Sequence, residues 1–526
     1  MMTSNNSPYK KTQTRYFKQA KTTRARYRAS FFALPFGFLF ILLATIAILK
    51  NLHPKYSPYR LDEKTCLSQL NLNFLSASTI CDHLVGQLDF SDFKIQDSQT
   101  YNLPVSSTSD LVAKIELPVV DFYSPLQNLT TDQLNDPVFL SQNQIKLISP
   151  DQLNPSTKLL SYENQYYLDT QKSGARFTLL SISSLDSSST TNHTKVKAIH
   201  DLLSPLFSQN QPKDLISFAE TGVTALTRRL TYKINQENNG GFFAEYIADF
   251  LKSKTFTHIS NEISFKEGCQ GGYQTMVLCA DWRSLDTITA IGTDIVELTG
   301  NHNNDTGTDN NLKTIAKYRE SGLRTVGGGE NLEQAKQPLD LNSSIRLLAY
   351  NHSTSSVANG QLATATSPGA NPYSEEQFQA DLASAKAENK FTIVNIQFFE
   401  CYAYPDQPIA YPACDQPIQN QKEFFRHLID LGADMVVGTS AHQPQTYELY
   451  QNKPIYYGLG NLFFDQIYWP DTTRSLILTH YFDQNKLLQT RILPTIYDQT
   501  FRPRLLDSSE AQTFLSRLFL ASPKGN

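Results

Sequence analysis

The chain of 526 residues is longer than one ordinary hydrophobic core supports, so two or three domains are expected. Hydrophobic residues at 40% and charged residues at 18% exclude a disordered chain. The net charge of −4 excludes the broadly basic face that a duplex binder needs, so no nucleic-acid partner is expected.

Charge is informative at the N-terminus. Lys10, Lys11, Arg15, Lys18, Lys21, Arg24, Arg26 and Arg28 precede residues 31–49, a run with no charged residue, and no Asp or Glu comes before it. Such a run at helical rise nearly spans a hydrocarbon core of about 30 Å. It is long for the apolar part of a cleaved signal and lacks a good cleavage site, so an uncleaved signal anchor is expected. The positive-inside rule makes residues 1–30 a basic cytoplasmic tail. The bulk then lies outside a cell membrane crossed once, with an N-terminal extracytoplasmic domain at 50–212.

The six cysteines fall into local pairs, Cys66 with Cys81, Cys269 with Cys279, and Cys401 with Cys414. An oxidising compartment favours short-loop disulfides between them, although six cysteines allow fifteen connectivities. No CxxC occurs and no cysteine neighbours His302 or His442, which argues against a zinc cluster.

Residues 111–120 read as a strand, a capped helix follows Leu129-Thr130, residues 177–182 read as a strand, and Ser/Thr-rich 183–194 as a loop. A small α/β or β-rich module fits, with a spacer role and no catalytic constellation. From residue 213 strands and helices alternate: strands at 215–218, 256–265, 295–298, 323–326, 345–350 and 391–396, helices at 242–251, 283–290, 311–321, 374–389 and 423–431. This indicates an α/β domain over 213–500, with a C-terminal helix in 501–526. The glycine run 327–329 reads as a turn, since no Lys-Ser or Lys-Thr follows it.

Polar clusters stand at the strand ends, where α/β proteins place their chemistry. Ser260-Asn261-Glu262 interrupts an apolar run and is unfavourable to bury without partners. The strand at 295–298 runs into Thr299-Gly300-Asn301-His302-Asn303-Asn304-Asp305-Thr306-Gly307, where Asn301 and His302 offer donor atoms to a divalent metal and Asp305 is placed to orient the imidazole. An Asn-rich turn is the competing reading of those residues. Met435-Val436-Val437, then Gly438 and a loop holding His442, return through Pro454-Ile455-Tyr456-Tyr457 to Gly458-Leu459-Gly460-Asn461.

In order and spacing these segments resemble the CapA-type poly-γ-glutamate capsule synthesis family. The resemblance is most specific in the last segment, where the family reads Gly-Ala-Asp, an apolar run, Gly, a His-Pro-His-type loop, Lys-Pro-Ile and Tyr-Ser-Leu-Gly-Asn. It implies a calcineurin-like metallophosphoesterase fold, a four-layer α/β sandwich, over roughly residues 215–465. It also implies a metal neighbourhood of Glu262, Asn301, His302 and His442, with catalytic roles for His302, Asp305 and Glu400 and substrate contacts from Arg228, Arg229 and Asn261. Three departures stand out. The family's Gly-Asp falls on Gly222-Val223, a motif His is matched by Gln397, and the first His of the His-Pro-His loop by Ser440.

Two readings of different class follow. One is a membrane-anchored hydrolase using a divalent metal (Mn, Zn or Fe) on a phosphoester or anionic polymer. The other keeps the fold without the metal, as a factor that binds or assembles an anionic surface polymer beside other capsule-synthesis proteins.

Overall fold

The computed structural model describes residues 93–101, 111–170, 176–184, 215–272, 277–352, 360–398, 421–467 and 471–523. The basic tail, the apolar run 31–49, Glu400 and four of the cysteines, Cys66, Cys81, Cys401 and Cys414, lie outside the described residues. No helix among the described residues is long and apolar enough to cross a membrane.

The chain is mixed α/β, built on two sheets. One is nine-stranded: parallel strands Arg324–Val326, Ile295–Glu297, Phe256–Asn261 and Leu215–Glu220 continue into antiparallel Arg474–Asp483, Lys486–Tyr497 and Pro503–Leu505, with the short strands Val223–Thr224 and Asn461–Phe463 at one end. The other is six-stranded, with parallel Ile345–Asn351, Phe391–Gln397, Met435–Gly438 and Lys453–Tyr456 at its centre. All seven residues of Ile345–Asn351 are buried, as expected of a parallel strand covered on both faces.

Three cores divide these elements into layers. Phe218, Ile295 and Leu478 of the first sheet meet Leu347, Ile393, Met435 and Val437 of the second in one buried seam. Leu230, Ile288 and Ile315, from helices Arg229–Glu237, Ser284–Ala290 and Thr308–Glu320, cover the outer face of the nine-stranded sheet. Phe378 and Phe425, from helices Glu375–Ala387 and Gln421–Asp430, cover the outer face of the other. The order is helix, sheet, sheet, helix.

The expected helix at 242–251 is two pieces, a 3₁₀ turn Phe242–Ala244 and a helix Ala248–Lys252. Ala244 N donates to Gly241 O and Ile247 N to Ala244 O, three residues back in each case, which tightens the turn and breaks the α-ladder. Phe243, Ile247 and Leu251 nevertheless remain on one buried face. The expected strand 256–265, interrupted by its polar trio, ends at Asn261, whose pairing with Thr224 closes with Glu262 N donating to Thr224 O at 3.0 Å; beyond it the chain makes only single bridges, from Ile263 to His302 and from Phe265 to Ala280.

Upstream, strands Phe93–Tyr101, Leu111–Asp121, Lys146–Ile148, Thr157–Leu159 and Arg176–Ser184 form a five-stranded antiparallel sheet. The helix expected after Leu129 is Thr131–Asn135, closed by a capping box between Thr130 and Gln133. Leu117, Val119, Leu159 and Tyr167 pack with Tyr481 and Leu488 of the nine-stranded sheet, and Leu159 N donates to Gln489 Oε1 at 2.8 Å. Cys269 and Cys279 form a disulfide, as their spacing suggests, with Cα atoms 6.2 Å apart.

Candidate functional site

The parallel strands of both sheets end at the same edge of the seam, and this brings distant polar residues together. Val223 pairs with Ser260, and Ser260 with Glu297, while Asn395 of the second sheet reaches Glu297. Residues level with one another on parallel strands share a face, and the face alternates along each strand. His258, Ser260 and Glu297 therefore face the seam, as do Asn395 and Gln397 from the other side, while Val223 packs in the core under the outer helices. Ser260 and Glu297 stand level, His258 lies two residues below them, and Glu262 lies two residues above Ser260.

His258, Glu297 and Asn395 form one buried hydrogen-bonded cluster. His258 and Glu297 are both 0% exposed, with Nε2 and Oε2 3.0 Å apart. Glu297 also accepts from Asn395 Nδ2 at 2.8 Å, from Thr439 Oγ1 at 2.8 Å, and from Thr299 Oγ1. Burial pushes its carboxyl up, but the His258 hydrogen bond and charge, with those from Thr299 and Asn395, outweigh burial and hold it below the ordinary range. The sequence reading passed over this cluster. The available signal was alternation, since His258 lies two residues before Ser260 on one strand and so on the same face.

Above it Glu262 is 0% exposed, and the glycine at 300 lets the next strand-end loop lie against it. A Cβ at Gly300 would come within 2.4 Å of Glu262 Cα. Asn301 Oδ1 accepts from Gln397 Nε2 at 3.4 Å. His302 Nδ1 lies 2.7 Å from Asp305 Oδ2, and Asp305 is itself fixed by Leu278 N at 2.8 Å and Gln361 Nε2 at 3.1 Å. A carboxylate accepts, so Nδ1 of His302 is the donor of this bond. The expected orienting role of Asp305 thus has its geometry.

His442 lies on the far flank. Asn461 Nδ2 donates to Thr472 O at 3.0 Å, so its Oδ1 accepts, and His442 Nδ1, 2.9 Å away, is the donor. Both histidines thus donate from Nδ1. Asn461 pairs with Val223, Thr224 with Asn261, and Gly300 lies against Glu262, so three strand intervals, roughly 14 Å, separate the backbones at Asn461 and Gly300. Among the described residues no group of three or more His, Cys, Asp or Glu stands together as a metal ion requires. Ser440 Oγ accepts from Phe398 N at 3.0 Å, and Asn261 Nδ2 donates to Ile263 O at 2.6 Å, so both side chains help shape the local backbone.

Arg228 and Arg229 open the helix Arg229–Glu237 beside this edge. The Arg228 guanidinium makes two bonds to Asp465 Oδ1, one of them from Nε at 2.8 Å; it stacks 4.8 Å from the Phe464 ring, and Arg229 N reaches Asp465 Oδ2 at 3.3 Å. Arg228 has φ +48°, an uncommon conformation for a side chain of its size, which these bonds hold in place. Asp465→Ala should lower stability by about 3 kcal/mol, because it leaves a largely buried guanidinium unpaired. Urea unfolding checks this, and a change under about 1 kcal/mol would show the pair to be dispensable.

Residues 218–466 match the bacterial capsule synthesis protein family PGA_cap. The chain is 23% identical over 295 residues to the capsule biosynthesis protein CapA of Bacillus anthracis, covering 54% of this chain and 68% of the relative. It is 22% identical over 297 residues to the PGA biosynthesis protein CapA of Bacillus subtilis, covering 55% and 74%. A probable polyglutamine synthesis accessory protein of Mycobacterium tuberculosis is 25% identical over 190 residues, covering 34% and 47%.

Proposed function

Residues 218–466 place this chain in the bacterial capsule synthesis protein family, and from that premise we propose that it serves the making of a poly-γ-glutamate-type surface polymer as a binding or assembly factor. One observation carries the reading. Near the strand ends on the seam side Ser260 Oγ and Gln397 Oε1 are buried and have no hydrogen-bond partner among the described residues. A buried polar atom left unpaired costs about 1–3 kcal/mol, and such atoms concentrate where a polar ligand completes them. Amide and hydroxyl groups of this kind suit the repeating amides of a polyamide chain. The helix, sheet, sheet, helix order supports a metallophosphoesterase-like sandwich as the frame. The basic tail and residues 31–49 support a single membrane anchor with the bulk outside the cell, beside other capsule-synthesis proteins.

A metal-dependent hydrolase is the second reading, and the Nδ1 bonds of His302 to Asp305 and of His442 to Asn461, which orient both rings, favour it. A two-metal centre does not fit, since Val223, Gln397 and Ser440 are not ligands of that kind. A single Mn, Zn or Fe ion would take Glu262, His302 and His442, with help from Asn301, and would supply Lewis acidity. With Nδ1 held by Asp305, His302 would meet the ion through Nε2.

The test is metal analysis and polymer binding on the full-length protein. Metal well below one equivalent is expected in wild type, His302→Ala and His442→Ala alike. Poly-γ-glutamate binding is expected to weaken about 3- to 10-fold in Gln397→Ala. Stoichiometric metal that disappears in both histidine variants would overturn this reading in favour of the hydrolase.

A further inference from the structure

A cavity of about 340 Å³ lies away from the strand ends, between the upstream sheet and the C-terminal strands and helix, with Lys158, Ser161, Tyr166, Arg491 and Asp507 in its lining. Lys158 sits on the strand Thr157–Leu159, paired with Val120, and is 7% exposed. Its ammonium donates to the Ser124 carbonyl and stands 5.3 Å from the centre of the Phe519 ring. No carboxylate among the described residues lies within ion-pair distance of it. A buried cation held only by neutral groups is costly, because neither partner repays the lost hydration.

The second cation of the lining is Arg491, stacked 4.5 Å from the Tyr166 ring. Its counter-ion, Asp169, is shared: Arg491 Nη1 lies 2.7 Å from it, Lys254 Nζ 2.5 Å and Tyr481 Oη 2.5 Å. The one acid in the lining, Asp507, caps the helix Ser508–Leu520 and accepts from Glu510 N at 2.8 Å. The lining thus holds more positive charge than its own acids balance.

We propose that this cavity binds a small oxyanion, a carboxylate or a phosphate, whose charge is met by Lys158 and Arg491 and whose further oxygens meet Ser161. The volume suits a metabolite-sized ligand, and charge-assisted bonds are the strong ones. The proposal is independent of what the strand-end site does. It carries a pH dependence. Burial lowers the Lys158 pKa to about 7, with Asp121 opposing, and Arg491 and Asp507 are the other charged groups of the lining. The empty site therefore loses its proton near neutrality while a bound anion retains it, so affinity is highest below that pH and falls above it.

Calorimetric titration of the full-length protein with L-glutamate and, separately, with inorganic phosphate tests this. At least one should bind, more tightly at about pH 6 than at about pH 9. Lys158→Met and Arg491→Gln should each weaken binding by about tenfold or more. Binding of glutamate alone assigns a carboxylate ligand, and of phosphate alone a phosphate. Should Lys158→Met fail to fold, Arg491→Gln and the pH series decide. No binding by either probe, or wild-type affinity in the folded variants, overturns the proposal.

Discussion

His258→Leu should cost about 3–5 kcal/mol of stability, although it lies in no exposed surface and touches no candidate ligand. His258 and Glu297 are both fully buried in the seam between the sheets, and Glu297 gathers hydrogen bonds from Thr299, Thr439 and Asn395. Leucine removes the His258 hydrogen bond and leaves the carboxylate desolvated, held only by Thr299, Thr439 and Asn395. Replacing both members, as His258→Leu with Glu297→Met, should recover part of the loss, since the penalty belongs to the stranded charge. The pH dependence follows in sign. Glu297 is held below its ordinary value of 4.5, so its contribution is complete above that value and is lost as pH falls through its lower folded pKa. In His258→Leu burial is opposed by fewer groups, the carboxyl moves up, and acid unfolding should begin at higher pH. Urea unfolding across an acid series measures both effects. A loss below about 1 kcal/mol with an unshifted acid limb would show that the pair does not hold the seam.

Gly300→Ala is expected to do comparable damage through sterics alone. The new Cβ would stand 2.4 Å from Glu262 Cα and 3.1 Å from Glu262 C, and these are backbone atoms that cannot rotate away. The loop from Leu298 to His302 must lift, which breaks the bridge between His302 and Ile263 and moves Asn301 from Gln397. Overpacking of this kind costs about 3 kcal/mol when neither side yields. The variant should therefore lose stability and also the binding attributed to the strand ends. Gly307→Ala offers a contrast: nothing lies within 4 Å of its Cβ, and its φ of +100° makes any cost one of backbone strain. Unfolding midpoints of the two variants, with polymer binding measured beside them, separate the mechanisms. Wild-type binding in a folded Gly300→Ala protein would detach this loop from the site.

The sequence by itself determined the alternation of strands and helices, the places where strands end, and the Gly-Asn-His segment. Those are properties of local period and turn chemistry, which act over a few residues. It also marked Asp305 as the partner of His302, because three residues within one turn suffice to bring them together. It ran the helix at 242–251 through the break at Ala244, where bonds to carbonyls three residues back override the apolar period. Only the tertiary structure decided the rest. The distance between His442 and His302 depends on strand order, which no local pattern encodes. Asp465 pairs with Arg228 across 237 positions, and Thr439 reaches Glu297 across 142. Lys158 reads as an ordinary surface lysine until Val120, Ser124 and Phe519 are folded around it. Burial and charge pairing belong to the packed molecule, because the desolvation that makes them matter comes into being only when the layers close.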